Sequence, residues 1–209
     1  MGLLRRTISL LCIAMAPLAQ GQQPSALPDP LTALSGAPLA RALQRGGYTI
    51  YFRHAATDFS QTDRNVTAFE DCSTQRNLNA AGRRDARAVG EAMRAMKITV
   101  SEVISSPYCR TMETARLMFG RAEASRDAIG NMTPTGKPDY TALERILATP
   151  PTDATLRAVV SHGNPFQAIA GEPLLAEGEA AVIRGDGVRW IIVARIPIAA
   201  WLSLVAAGD

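Results

Sequence analysis

Tyr48-Thr49-Ile50-Tyr51-Phe52-Arg53-His54 is the stretch from which the fold is read. Five β-branched or aromatic residues in succession make a buried strand from Tyr48 to Phe52. The strand stops at Arg53-His54, and the chain from Ala55 to Asn77 is polar and without period, a long loop beside His54. A loop of that length inside a compact domain is usually functional or disordered. A second apolar run, Leu156-Arg157-Ala158-Val159-Val160, ends the same way, at Ser161-His162-Gly163. The chain has only two histidines, and each one closes a strand.

Working outward, a short helix from Leu39 to Arg45 ends at Gly46-Gly47, where glycine suits a left-handed cap. Asn79 caps a helix from Ala80 to about Met96, whose apolar residues Ala86, Val89, Met93 and Met96 recur in steps of three or four. Glu102 to Ser105 is a short strand, and Arg110 to Phe119 a helix stopped by Gly120. Residues 121–138 are poorly patterned, with one strand suggested near Ala128-Ile129. Tyr140 to Ala148 is helical and ended by Pro150-Pro151, and Pro165 opens a helix at its first turn. Ala180–Arg184 and Val188–Ile196 flank Gly185-Asp186-Gly187, a hairpin signal. Strands alternating with helices predict an α/β domain of three layers, a mostly parallel central sheet with helices on both faces. Ligands bind beyond the carboxyl ends of strands in such sheets, and both histidines fall there.

At 209 residues and 47% hydrophobic content, the chain suits one domain with a proper core. Its start reads differently. Arg5-Arg6, an apolar stretch from Thr7 to Ala19, and Ala19-Gln20-Gly21 have the layout of a secretory signal, too short to span a bilayer. The expected organisation is a signal peptide over residues 1–21, a Pro/Ala-rich leader over 22–38 and a catalytic domain over 39–209. The signal holds two of the 22 basic residues and no acid, which leaves 20 bases against 19 acids and a net charge of +1. Neither nucleic acid nor an anionic membrane is then favoured as a partner. Export points to a periplasmic or secreted protein. Its two remaining cysteines, Cys72 and Cys109, would meet an oxidising compartment, either paired or as two buried thiols.

Chemistry concentrates in three segments. Arg53-His54 is the first. The second is Ser105-Ser106-Pro107-Tyr108-Cys109-Arg110-Thr111-Met112-Glu113-Thr114-Ala115, which sets Arg110 in the first turn of a helix, where its donors add to the helix's positive end. The third is Ser161-His162-Gly163-Asn164-Pro165, a strand, a small residue permitting close approach, and a helix start. In this order the three resemble the signature segments of the histidine phosphatase superfamily, in its phosphoglycerate-mutase-like branch, over the chain from about Tyr48 to Trp201.

The resemblance implies that His54 is the nucleophile that accepts a phosphoryl group, with Arg53, Arg110 and His162 around its oxygens. The physics of those residue types agrees. An imidazole attacks phosphorus only when unprotonated, and fixed cationic donors stabilise charge spread over the transferring oxygens. No metal or other cofactor is required, and the distant histidines and cysteines make no zinc motif. The implied partner is a small phosphorylated substrate.

Two departures stand out. Ala55 and Ala56 occupy positions where the family usually has Gly and often Glu, whereas Thr57 keeps the expected hydroxyl and Ser60 falls where many members carry a phosphate-touching Asn. Both are therefore candidate substrate ligands. No carboxylate is an obvious counterpart of the family's general acid; Asp58, Asp63, Asp127 and Glu144 are the candidates. Relatives without that acid favour good leaving groups such as phosphohistidine or anhydrides. A Cys72–Cys109 bridge would pin the loop over the site and restrict Arg110. The expected function is an exported, metal-independent phosphomonoesterase, with a phosphate-binding protein of the same fold and little turnover as the alternative.

Overall fold

The computed structural model describes residues 33–208, apart from 65 and 153. The signal segment and most of the leader lie outside the described residues. In chain order the elements are α1 (Gly36–Arg45), β1 (Tyr48–Arg53), α2 (Ala80–Ala95), β2 (Val100–Ser105), α3 (Cys109–Phe119), β3 (Glu123–Ala124), β4 (Asn131–Met132), β5 (Pro138–Asp139), α4 (Thr141–Ala148), β6 (Leu156–Ser161), α5 (Gly163–Ala170), β7 (Ala180–Gly185), β8 (Trp190–Ile196) and α6 (Ala200–Gly208). Single 3-10 turns occupy Cys72–Thr74 and Arg126–Ala128.

Six strands form one sheet in the order β3-β2-β6-β1-β7-β8. β3, β2, β6 and β1 are parallel, and β7 runs antiparallel to both β1 and β8. Alternation of side chains along each strand divides the core into two. Ile50, Phe52, Ala158, Val160 and Val182 pack with Leu39 and Leu43 of α1, Val89 and Met93 of α2, Met118 of α3 and Trp201 of α6. On the opposite face Tyr51, Val159, Ala181 and Ile183 meet Leu143 and Leu147 of α4 and Phe166 of α5. The three expected layers are present.

Local chemistry explains most element ends. The Asn79 side chain accepts a hydrogen bond from Gly82 N–H and starts α2 as read from sequence. Gly120, at φ 73°, ends α3 in the left-handed region. The structure corrects other boundaries. α1 begins three residues early, at Gly36, because Pro38 sits in a first turn where its missing N–H costs nothing. The strand expected near Ala128-Ile129 is instead a 3-10 turn, capped by Ser125 Oγ accepting from Asp127 N–H, with Ala128 buried in the core. The two-residue strands β4 and β5 are too short to show a period. The sequence reading assigned nothing to α6, which packs Trp201 and Leu204 into the first core cluster.

Helices α2 and α3 cross closely at Gly90, where a Cβ would stand 2.3 Å from the Met118 carbonyl oxygen. Backbone is a neighbour that yields only by moving a helix. Gly90→Ala should therefore lower stability by about 1–3 kcal/mol, measured as a drop in the urea midpoint at unchanged slope.

Candidate active site

Three parallel strands end side by side on one sheet edge. Their register pairs Arg53 with Ser161 and Ser105 with Val160. His54 N–H continues the ladder to the Ser161 carbonyl at 2.9 Å, and Ser106 N–H to the Val160 carbonyl at 2.9 Å. His54, His162 and Ser106 thus project from adjacent strand ends. The two imidazole rings lie 5.5 Å apart, although 107 residues separate them in the chain (162 − 54 − 1).

His54 is buried, 2% exposed. Its Nδ1 is 3.0 Å from the Ala55 carbonyl oxygen, which can only accept, so Nδ1 carries the proton and Nε2 keeps its lone pair. Burial drives the His54 pKa down to about 3; the Ala55 bond opposes that fall, and the charges of Arg110, Arg53 and Arg76 add to it. His162 is held as the other neutral tautomer. Arg110 Nη2, a donor, lies 3.4 Å from its Nδ1, so Nε2 donates to Ser106 Oγ at 2.8 Å. Burial first, then Arg110 and His54, keep its pKa well below the usual imidazole value. Both nitrogens of His162 are engaged, and the ring orients Arg110 while Tyr51 Oη secures the His162 carbonyl at 2.8 Å.

The arginines are fixed from behind. Arg53 Nη1 donates to the Leu175 carbonyl at 2.6 Å, and Nη2 lies 3.9 Å from Glu177. Gly163 lets this happen, because a Cβ there would stand 3.3 Å from Arg53 Nη1 and 2.6 Å from Leu174. Arg110, 6% exposed, donates from Nη1 to Asp63 Oδ1 at 2.8 Å and lies over the Tyr108 ring. Arg53, His54, Arg110 and His162 share a hollow of about 360 Å³ with Arg76, Asp63, Tyr108 and Tyr140. A larger cavity of about 950 Å³, lined by Phe69, Arg83, Met112 and Glu113, lies beyond the disulfide and holds neither imidazole.

Other candidates fall elsewhere. Thr57 turns its hydroxyl to Glu177 Oε1 at 2.7 Å, and exposed Ser60 turns its own to Asp58 Oδ1 at 2.7 Å; neither lines the hollow. Each hydroxyl finds a carboxylate next to it and is bound there. Asp58 lines the larger cavity, Glu144 a groove beside α4, and Asp127 does not border the hollow. Asp63 does, but it is committed to Arg110 and to Arg76 N–H, 2.9 Å away. The sequence reading gave no role to Arg76, Ser106 or Glu177; Ser106 lies within the second signature segment, whereas no local pattern marks Arg76 or Glu177. Cys72 and Cys109 are joined, with Cα atoms 5.7 Å apart. Gln75 Oε1 accepts from Cys109 N–H at 2.9 Å, so the loop is fastened one residue before Arg110. Among the described residues no group of three or more His, Cys, Asp or Glu could hold a metal ion, and no helix is long and apolar enough to cross a membrane.

A family model, that of the histidine phosphatase superfamily (branch 1), matches residues 50–128, from β1 to the Arg126–Ala128 turn. No curated protein matches the chain by sequence. Among solved structures, the protein histidine phosphatase SixA complexed with tungstate is 16% identical, with a TM-score of 0.51 over 73% of this chain and 97% of that one. A phosphoserine phosphatase from Entamoeba histolytica in complex with 3-phosphoglyceric acid is 14% identical, with a TM-score of 0.46 over 71% and 95%. A mycobacterial glucosyl-3-phosphoglycerate phosphatase is 16% identical, with a TM-score of 0.47 over 70% and 96%. At such identities the SixA likeness shows the shared fold, that of a histidine phosphatase.

Three measurements follow from the site. With its pKa near 3, His54 should stay neutral from pH 8 to pH 5 in an NMR titration, where an ordinary histidine protonates near 6.5. The unfolded chain does take those protons, so stability should fall as pH drops below about 6.5. Reducing Cys72–Cys109 should lower stability by about 2–4 kcal/mol, read from urea unfolding with and without reductant.

Proposed function

We propose that this protein is an exported, metal-independent phosphatase that hydrolyses phosphomonoesters through a phosphohistidine on His54. One observation carries the reading: the bare Nε2 of His54 sits in a small hollow bordered by three guanidiniums. Nε2 attacks phosphorus in line, forming a P–N bond as the P–O bond to the leaving group breaks. Arg53 and Arg110 bind the equatorial oxygens, and His162 steadies Arg110. Water then attacks phosphorus, the P–N bond breaks, and inorganic phosphate leaves with His54 restored. Guanidiniums perform the charge stabilisation that a divalent cation supplies in other phosphoryl-transfer sites.

Among the described residues no uncommitted carboxylate borders the hollow to protonate the departing oxygen, because Asp63 is held by Arg110. The reading is therefore narrowed to substrates whose leaving groups depart as stable anions or are already protonatable, such as aryl phosphates, phosphohistidine or anhydrides. The fold shared with a protein histidine phosphatase is consistent with that class. Export is supported by the signal-like N-terminus and by the Cys72–Cys109 bridge, which persists in oxidising compartments.

His54→Ala should abolish release of phosphate from an activated aryl phosphate while leaving circular dichroism unchanged. Wild-type enzyme quenched during turnover should carry a phosphoryl group that is labile in acid and stable in alkali. The rate should fall steeply as the leaving-group pKa rises across a series of aryl and alkyl phosphates. Phosphate binding without any hydrolysis would instead make this an anion-binding protein of the same fold.

A further inference from the structure

The three arginines of the hollow are not equivalent. Arg110 is joined to Asp63 at 2.8 Å, and Arg53 lies 3.9 Å from Glu177. Arg76 has no carboxylate partner among the described residues. Its side chain donates no hydrogen bond to them, and its guanidinium lies 4.8 Å from the centre of the exposed Phe59 ring; its Nε is buried without an acceptor, as are those of Arg53 and Arg110. Yet its place is well determined. Arg76 N–H donates to Asp63 Oδ1 at 2.9 Å, and the Arg76 carbonyl accepts from Arg110 Nη1 at 3.4 Å. Arg76 lines the hollow, and its charge acts on both imidazoles after those of Arg110 and Arg53.

We propose that Arg76 is a third anion-binding arginine, and that its uncompensated charge makes the hollow prefer doubly charged phosphomonoesters to singly charged phosphate esters. The proposal rests on the phosphatase reading for its substrate class. Arg53 and Arg110 each have a carboxylate close by and the imidazoles are neutral, so the excess positive charge comes from Arg76. Without it, Arg110 is matched by Asp63 in the hollow and Arg53 by Glu177, which lies behind it and does not line the hollow. A phosphomonoester above its second ionisation carries close to two negative charges, whereas a diester carries one. An unpartnered guanidinium beside the entering phosphoryl group gains most from the second charge, by direct charge-assisted hydrogen bonding. Asp63 has a double part: it withdraws charge from Arg110 and, through the Arg76 N–H, holds the residue that replaces it.

The test is equilibrium binding of inorganic phosphate to the mature protein by calorimetry, across the second ionisation of phosphate. Wild type should bind more tightly as the monoanion becomes the dianion. Arg76→Met should weaken dianion binding about tenfold or more and flatten this pH dependence, and Arg76→Lys should retain it. Asp63→Asn keeps an oxygen to accept from Arg76 N–H and frees the charge of Arg110; added to Arg76→Met, it should recover most of the lost affinity. Wild-type affinity and pH dependence in Arg76→Met would overturn the proposal. So would a double variant, folded by circular dichroism, that recovers nothing, since Arg76 would then act through shape and not charge. Binding requires no turnover, so a protein that binds phosphate in this way but never hydrolyses an ester would refute the phosphatase reading and leave this proposal standing.

Discussion

Crowding like charges is the constraint around which the molecule is organised. Three guanidiniums and two imidazoles border a hollow of about 360 Å³ with one carboxylate among them. Their mutual repulsion and loss of hydration oppose folding unless each group is restrained from behind. The Leu175 carbonyl restrains Arg53, Asp63 and His162 restrain Arg110, and the Asp63 carboxylate holds Arg76 through its N–H. The imidazoles give way by staying neutral, as burial and the neighbouring arginines both require. Neutrality is also what a nucleophilic nitrogen needs. The electrostatic cost of the site and its reactivity therefore have one cause.

Rigid and irregular parts of the chain divide the work. Strand ends of β1 and β6 deliver the two histidines at a spacing set by the hydrogen-bonded ladder, which tolerates little error. The loop from Ala55 to Asn77 delivers Arg76 and Asp63, and loops hold geometry poorly unless fastened. Here the fastening is covalent at Cys72–Cys109 and polar at Gln75, whose side chain reaches Cys109 N–H and the Phe69 carbonyl. The disulfide thus serves the site more directly than the core, which is already filled on both sheet faces.

The absence of an uncommitted acid at the hollow follows from the same arrangement. Asp63 Oδ1 is already taken by Arg110 and by Arg76 N–H. Asp63 is needed to organise Arg76 and Arg110 together, and that use conflicts with protonating a leaving group. On the proposed reading, the chemistry left to the site is transfer from groups that depart without help.

Patterns of near neighbours were legible in the chain. Five β-branched or aromatic residues defined β1, the Asn79 cap and three-to-four-residue stripe defined α2, and Gly185-Asp186-Gly187 marked the β7–β8 hairpin. Because two such strands ended in histidine, the sheet edge bearing the site could be named in advance. Groups placed by loop closure could not. Thr57 and Ser60 were assigned to the ligand by position in a motif, but each hydroxyl turned to a nearer carboxylate. Arg76 and Glu177 carried no signal, since what brings them to His54 is contact between residues far apart in sequence. Periods of two and 3.6 are properties of a local backbone and are written in order along the chain. The tautomers of the imidazoles, the partner of each arginine and the charge left over depend on distances that only the packed structure decides.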